Sequence, residues 1–323
     1  MEQILMDKSR LAPNGKVWVY SPSEAYNNKV WDFKKYLGFP NLIDRTETID
    51  FGHDIKIVNT IPENYRNFNK SFADICDERG EEIKNKTDKP ISVLWSGGID
   101  STVAIVSLMK AGAKVNVLYS QNSIDEYPNF FKQYQNHPLL TWEHDLRDEH
   151  FERWFDKDQL FVTGELGDQI FGSDKMMRIF DKINEPYHLL LNDNMGEIIE
   201  PQLKFAPIEI KTIYDFLWWM NFSLKYQFVL FRIYSVFHKR LKWGDLEHFF
   251  MAQDFQKWSM VNHDMKIKTE MDSYKWIAKD YIFDFTGDAS YRDNKLKHGS
   301  LWKNMPEEFC ILCSGYLTTN FIE

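Results

Sequence analysis

Three short stretches of this sequence carry residue types that could do chemistry together. The first is Ser96-Gly97-Gly98-Ile99-Asp100-Ser101-Thr102, which follows the apolar run 91–95 and precedes apolar residues at helical spacing. Glycines here let the backbone turn sharply and bring its N–H groups against a ligand. The helix that follows offers unpaired N–H groups and a partial positive charge, which together make an anion site. Ser96, Ser101 and Thr102 add hydroxyl donors, and Asp100 could hold a divalent cation on a phosphate. The stretch is not a Walker A loop, since the terminal Gly-Lys-Ser/Thr is missing. The competing reading is a tight turn in which Asp100 only caps a helix.

The second stretch is Thr163-Gly164-Glu165-Leu166-Gly167-Asp168-Gln169-Ile170-Phe171-Gly172. Glu165 and Asp168 leave the carboxyl end of an apolar run, where a metal could meet them, although capping of the next helix would use the same residues. The third is Lys295-Leu296-Lys297, a pair of cations able to stabilise charge on phosphoryl oxygens, or else an ordinary solvated basic loop.

The elements that must position these groups alternate. Residues 91–95, 113–119, 139–142 and 160–163 read as buried strands. Residues 100–111, 126–135 and 146–155 read as helices, and another helix follows Gly167 and Asp168. This alternation predicts right-handed βαβ units, an α/β fold with a parallel sheet covered on both faces, and ligands at the carboxyl ends of the strands. Residues 67–86 suit an amphipathic helix, with Gly80 arguing against one unbroken rod, and Lys89-Pro90 ends it. Beyond residue 185 the strand signal fades and aromatic-rich helical patterns take over. The expected organisation is a small lead-in over 1–65, an α/β nucleotide-binding core over 66–186 and a mostly helical part over 187–323.

Ser-Gly-Gly-Ile-Asp-Ser after an apolar strand resembles the pyrophosphate loop (PP-loop) of the ATP pyrophosphatases, enzymes that cleave ATP between its α and β phosphates. The stretch 163–172 is similar to the Ser-Gly-Glu-Gly-x-Asp-Glu-x-Phe-Gly-Gly signature of asparagine synthetase and its relatives, departing from it at Leu166, Gln169 and Ser173. Lys295-Leu296-Lys297 fits the spacing of the Arg/Lys-x-Lys segment of those enzymes. The resemblance covers roughly 68–300 and implies a doubly wound parallel sheet of the adenine nucleotide α hydrolase kind. It implies ATP and Mg2+ as ligands, with Ser96, Gly97, Gly98, Asp100, Ser101, Thr102 and Gly164 around the nucleotide. It also implies that Asp100 and Asp168 share the metal, that Glu165 activates or orients an attacking amine, and that Lys297, with Lys295 in reserve, contacts the phosphates and the adenylate. The activity implied is adenylation of a small-molecule carboxylate followed by transfer to an amine or ammonia. Glutamine-dependent members begin with a catalytic cysteine on a separate glutaminase domain, whereas here residue 2 is Glu2 and the first cysteine is Cys76. The amine is therefore expected to be free ammonia, to come from a separate glutaminase, or to belong to a larger substrate. Adenylation of a nucleobase or its precursor, and a nucleotide-binding module without turnover, are the alternatives.

Composition narrows the setting. A share of 16% aromatic residues excludes an intrinsically disordered chain, and a formal charge of -9 argues against a nucleic-acid partner. Three cysteines in 323 residues cannot build a disulfide framework, so a reducing, cytoplasmic setting is expected. The most apolar stretch, 216–237, is interrupted by Asn221, Lys225, Gln227 and Arg232, which fits a buried core helix and no membrane span. Cys310 and Cys313 have the spacing of half a zinc site but read better as ordinary buried cysteines. Glu81, Glu82, Lys84 and Lys86 read as a solvated helix face.

Overall fold

The structure is a computed structural model that describes residues 42–49, 57–144, 151–172, 182–191, 193–237, 240–269 and 271–295. Lys297, Cys310, Cys313 and most of the 1–65 lead-in lie outside the described residues. Among the described residues, 64–167 and 240–295 cluster into one compact unit, and 42–63 and 168–237 into another.

In chain order the strands are β1 (Ile91–Leu94), β2 (Val115–Tyr119), β3 (Leu140–His144), β4 (Leu160–Thr163) and β5 (Leu246–His248). The helices are α1 (Phe72–Lys86), α2 (Ile99–Lys110), α3 (Gln121–Glu126), α4 (Pro128–Tyr134), α5 (Gly167–Phe171) and α6 (Asp193–Leu203). They continue with α7 (Ile213–Met220), α8 (Tyr226–Phe237), α9 (Gln253–Val261), α10 (Trp276–Thr286) and α11 (Ala289–Asn294).

All five strands belong to the first unit and form one sheet in the order β3-β2-β1-β4-β5, every neighbouring pair parallel. The expected α/β class is thus present. Val93, Val117 and Val162 are fully buried on adjacent strands, as a sheet packed on both faces requires. The strand order runs outward from β1 to β3 and then reverses, with β4 on the opposite side of β1, so the switch point lies between β1 and β4. Leu94 and Thr163, the last residues of these strands, stand in register there.

Helix α1 is one rod. A capping box between Ser71 and Asp74 starts it, and it runs through Gly80 to Lys86, against the expected interruption. Gly80 serves packing: α1 lies on α2, and a Cβ at position 80 would sit 2.7 Å from the carbonyl carbon of Ser107. The expected helix 126–135 divides at Tyr127, where Pro128 opens α4 as its first residue. Of the predicted helix over 146–155, residues 146–150 lie outside the described residues, and the remainder is corrected, because residues 151–156 form a 3-10 turn.

Strand β5 was not expected, since Leu246-Glu247-His248 shows no apolar alternation. Its central Glu247 is buried beside the guanidinium of Arg79 and the ammonium of Lys86, both on α1. Arg79 also donates to the Phe249 carbonyl at 3.1 Å. Lys86, exposed as expected of a solvated face along with Glu81 and Glu82, reaches from that face to neutralise the buried acid. Burial pushes the Glu247 carboxyl up, but Arg79 and Lys86 outweigh it and hold the group below the ordinary glutamate value.

The second unit is helical. Helices α7 and α8 join through a π-helical stretch, Asn221–Lys225, into one rod whose residues are nearly all buried from Ile213 to Tyr234. Phe222 and Tyr226 of this rod flank the Arg45 guanidinium, which lies 4.0 Å from the Tyr226 ring centre. Among the described residues, no helix is long and apolar enough to cross a membrane.

Two stability tests follow from this packing. Gly80→Ala gains helix propensity of up to ~1 kcal/mol but forces α1 off α2, so urea unfolding should show a net loss of ~1–3 kcal/mol. Glu247 has a depressed folded pKa, so its contribution is complete above the unfolded glutamate value of about 4.3 and is lost as pH falls through the folded value. Stability measured between pH 5 and 3 should fall less steeply in Glu247→Gln than in wild type.

Candidate functional site

The turn after β1 is shaped by its own side chains. Gly97 has φ +72, the left-handed region that glycine occupies without penalty, and a Cβ there would lie 2.7 Å from that of Glu126. Gly98 caps α2. The Ser101 hydroxyl lies 3.1 Å from that of Ser96 and accepts the Ser96 N–H at 3.2 Å, while Ser96 Oγ accepts the Gly98 N–H at 3.3 Å. Thr102 is fully buried; its hydroxyl donates to the Gly98 carbonyl at 2.8 Å and accepts from the Trp95 indole at 3.0 Å. All three hydroxyls expected to face a ligand are thus engaged inside the turn, and those of Ser101 and Thr102 are buried. Ser96, Gly98 and Asp100 keep partial exposure.

The segment after β4 closes on this turn. Gly164 and Gly167 have no side chains, and that absence is required. A Cβ on Gly164 would lie 2.5 Å from the Ser101 nitrogen, and one on Gly167 would lie 2.5 Å from Oδ1 of Asp100. Between them Leu166, buried, holds φ +73, an unfavourable conformation for a residue with a side chain. Glu165 is half-buried, and its N–H donates to the Thr163 hydroxyl at 3.2 Å. That hydroxyl lies 2.6 Å from Nδ1 of buried His248 on β5, so the end of β4 and the start of the Glu165 turn are tied to the neighbouring strand.

A third wall comes from α10 and α11. The Lys275 ammonium, fully buried, lies 2.6 and 2.5 Å from the two oxygens of Asp100. Lys295, also buried, is paired with Glu126, the residue whose side chain flanks Gly97. Tyr291 stacks on Tyr127 with ring centres 3.6 Å apart, and its hydroxyl donates to the Gly97 carbonyl at 3.4 Å. One turn beyond Lys275, the buried Lys279 ammonium donates to the Asp272 carbonyl at 2.6 Å, and burial lowers its pKa.

Ser96, Gly97, Gly98, Asp100, Ser101, Gly164, Glu165 and Lys295 are therefore gathered around one turn of the sheet-bearing unit. Asp168 begins the helical unit, in the first turn of α5. There Asn221, from the π-helical stretch, donates through Nδ2 to the Asp168 carbonyl at 2.6 Å and to the Gly172 carbonyl, and accepts from the Gln169 amide at 3.0 Å. Gln169 needs its amide for this contact, because a carboxylate could not donate to Asn221.

Lys275 and Glu126 escaped the sequence reading. Lys275 had one legible signal: a cation at the start of a helix, where the dipole disfavours it. Glu126 had none, because its role depends on a helix break at Tyr127. Among the described residues no group of three or more His, Cys, Asp or Glu could hold a metal ion. The residues present do fit a magnesium ion carried with a polyphosphate, which takes one or two carboxylates from the protein. Asp100 supplies one such carboxylate at a helix N-terminus, in a cradle that a Cβ on Gly167 would fill.

No family model and no curated protein matches the chain.

The glycine requirement is testable. Gly167→Ala should displace the Asp100 carboxylate and lower stability by ~1–3 kcal/mol. Gly196→Ala, in α6 with nothing within 4 Å of the added Cβ, should raise stability by up to ~1 kcal/mol. Thermal and urea unfolding of both variants distinguishes close approach from propensity.

Proposed function

We propose that the chain is an ATP-dependent, AMP-forming carbon–nitrogen ligase of the asparagine synthetase type, built on a doubly wound sheet of the adenine nucleotide α hydrolase kind. One observation carries the reading. The turn that resembles a pyrophosphate loop and the turn that resembles the acidic signature meet at Asp100, beside the β1/β4 switch point. Leu166 adds support: it stands where that signature has glycine, and its φ of +73 is glycine's region.

In this reading the backbone of 96–101 and the hydroxyls of Ser96 and Ser101 cradle the phosphates. A carboxylate oxygen of the substrate attacks the α-phosphorus, the bond to the bridging oxygen breaks, and pyrophosphate leaves. The amine then attacks the acyl carbon, AMP departs, and Glu165 receives the amine proton. Lys297, with Lys295 in reserve, stabilises charge on the α-phosphoryl oxygens and the leaving group. Asp100 would hold Mg2+, which would supply charge neutralisation on the departing pyrophosphate. Free ammonia, a separate glutaminase or a larger amine provides the nitrogen, and a reducing cytoplasm suits the three cysteines.

A nucleotide-binding module without turnover is the second reading. The Lys275–Asp100 ion pair favours it, because a carboxylate already neutralised needs no metal. The two readings separate in one assay: AMP and pyrophosphate release from ATP with a panel of small carboxylates and ammonium. Ligation requires substrate-dependent AMP, reduced at least ~100-fold in Asp100→Ala and in Lys297→Ala, the order of magnitude of a lost transition-state contact. ATP binding without AMP or pyrophosphate identifies the module, and ADP with phosphate as products refutes both.

A further inference from the structure

Lys275 holds Asp100 under unfavourable local terms. It caps α10 with φ +61 and ψ 28, a left-handed backbone that resists a residue bearing a Cβ. It places a cation at the positive end of a helix. Its amide donates to the Lys266 carbonyl at 2.9 Å, which fixes the strained residue in place. From the opposite wall Leu166, also at positive φ, leads into Gly167, which abuts the same carboxylate. Two of the three non-glycine residues with positive φ among those described thus flank one acid. A pair made only for stability would need neither distortion, whereas strain of this kind collects at sites that change partners.

We propose that Lys275 is a cationic latch. It occupies the Asp100 carboxylate in the metal-free protein, is displaced when a divalent cation binds there with a polyphosphate, and then pairs with the phosphate oxygens. The proposal rests on the reading of Asp100 as a metal-holding acid. Its basis is charge and space. The ammonium is bonded to both carboxylate oxygens, and a divalent ion bound to either would stand about 2.1 Å from that oxygen. Two cations sharing one half-buried carboxylate repel each other, so the ion enters as the lysine leaves. The incoming phosphates bring the negative charge that the released ammonium needs. Neighbouring Lys279 takes no part in the exchange, being bonded to the Asp272 carbonyl. The latch makes the site selective for a metal that arrives with polyphosphate over the free ion.

The test is titration with Mn2+ alone, followed by electron paramagnetic resonance, on the full chain. Lys275→Met should bind Mn2+ at least tenfold more tightly than wild type, with Lys275→Gln as a second variant in case the first fails to fold. Lys275→Arg, which keeps the cation, should bind as weakly as wild type. Equal or weaker binding by the neutral variants overturns the latch, as does tight binding by Lys275→Arg. Asp100→Asn in the Lys275→Met background should abolish the gain. If the double variant still binds tightly, Asp100 is not the metal-holding acid and the underlying reading fails. If the gain never appears in Lys275→Met or Lys275→Gln, only the latch fails.

Discussion

The sheet-bearing unit is organised around a close approach of backbones at Asp100. The segment leaving β4 passes so near the start of α2 that positions 164 and 167 have no room for a Cβ. Everything else at this end of the sheet accommodates that approach. Leu166 takes up a left-handed backbone between the two glycines, and the Ser96 and Ser101 hydroxyls close the turn from within. The Thr163 hydroxyl, joined to His248, fixes the point from which the Glu165 turn departs. Backbones brought this close set the two turns against one carboxylate beside the switch point between β1 and β4.

Charge is distributed by the same geometry. The unit buries several cations, and most of them meet a carboxylate: Lys275 meets Asp100, Lys295 meets Glu126, and Arg79 meets Glu247. Away from the Asp100 turn the pair is architectural, since Arg79 and Glu247 fasten α1 to the edge strand β5 and Arg79 spends further donors on neighbouring carbonyls. Beside the turn the pairs stand over the residues that chemistry would use.

The helical unit shows how a local irregularity can hold a motif. The π-helical stretch in the long buried rod brings Asn221 onto the carbonyls that open and close α5, so the residues around Asp168 are fastened by one amide side chain. Gln169 completes that contact in a way a glutamate could not. π-helical insertions of this kind recur where a helix must present a side chain out of its ordinary phase.

Strands β1, β2 and β4 were legible in the sequence because their burial on both faces demands continuous apolar runs. The turn after β1 was legible because glycines, hydroxyls and an acid between a strand and a helix admit few conformations. Ser96, Gly98, Asp100 and Glu165, singled out by residue type and by resemblance to known motifs, stand together around one turn. What the sequence could not express depends on partners far along the chain. Strand β5 exists because Arg79 and Lys86 neutralise a glutamate that reads as exposed, and Gly80 stands inside a helix because Ser107 arrives beside it. Lys275 looks like any lysine near a helix until the fold carries it to Asp100, 175 residues away in sequence. Local propensity and hydrophobic period are properties of neighbours in the chain, so the sequence determined the elements and the turns between them. Charge pairing and close approach are properties of neighbours in space, and only the tertiary structure decided those.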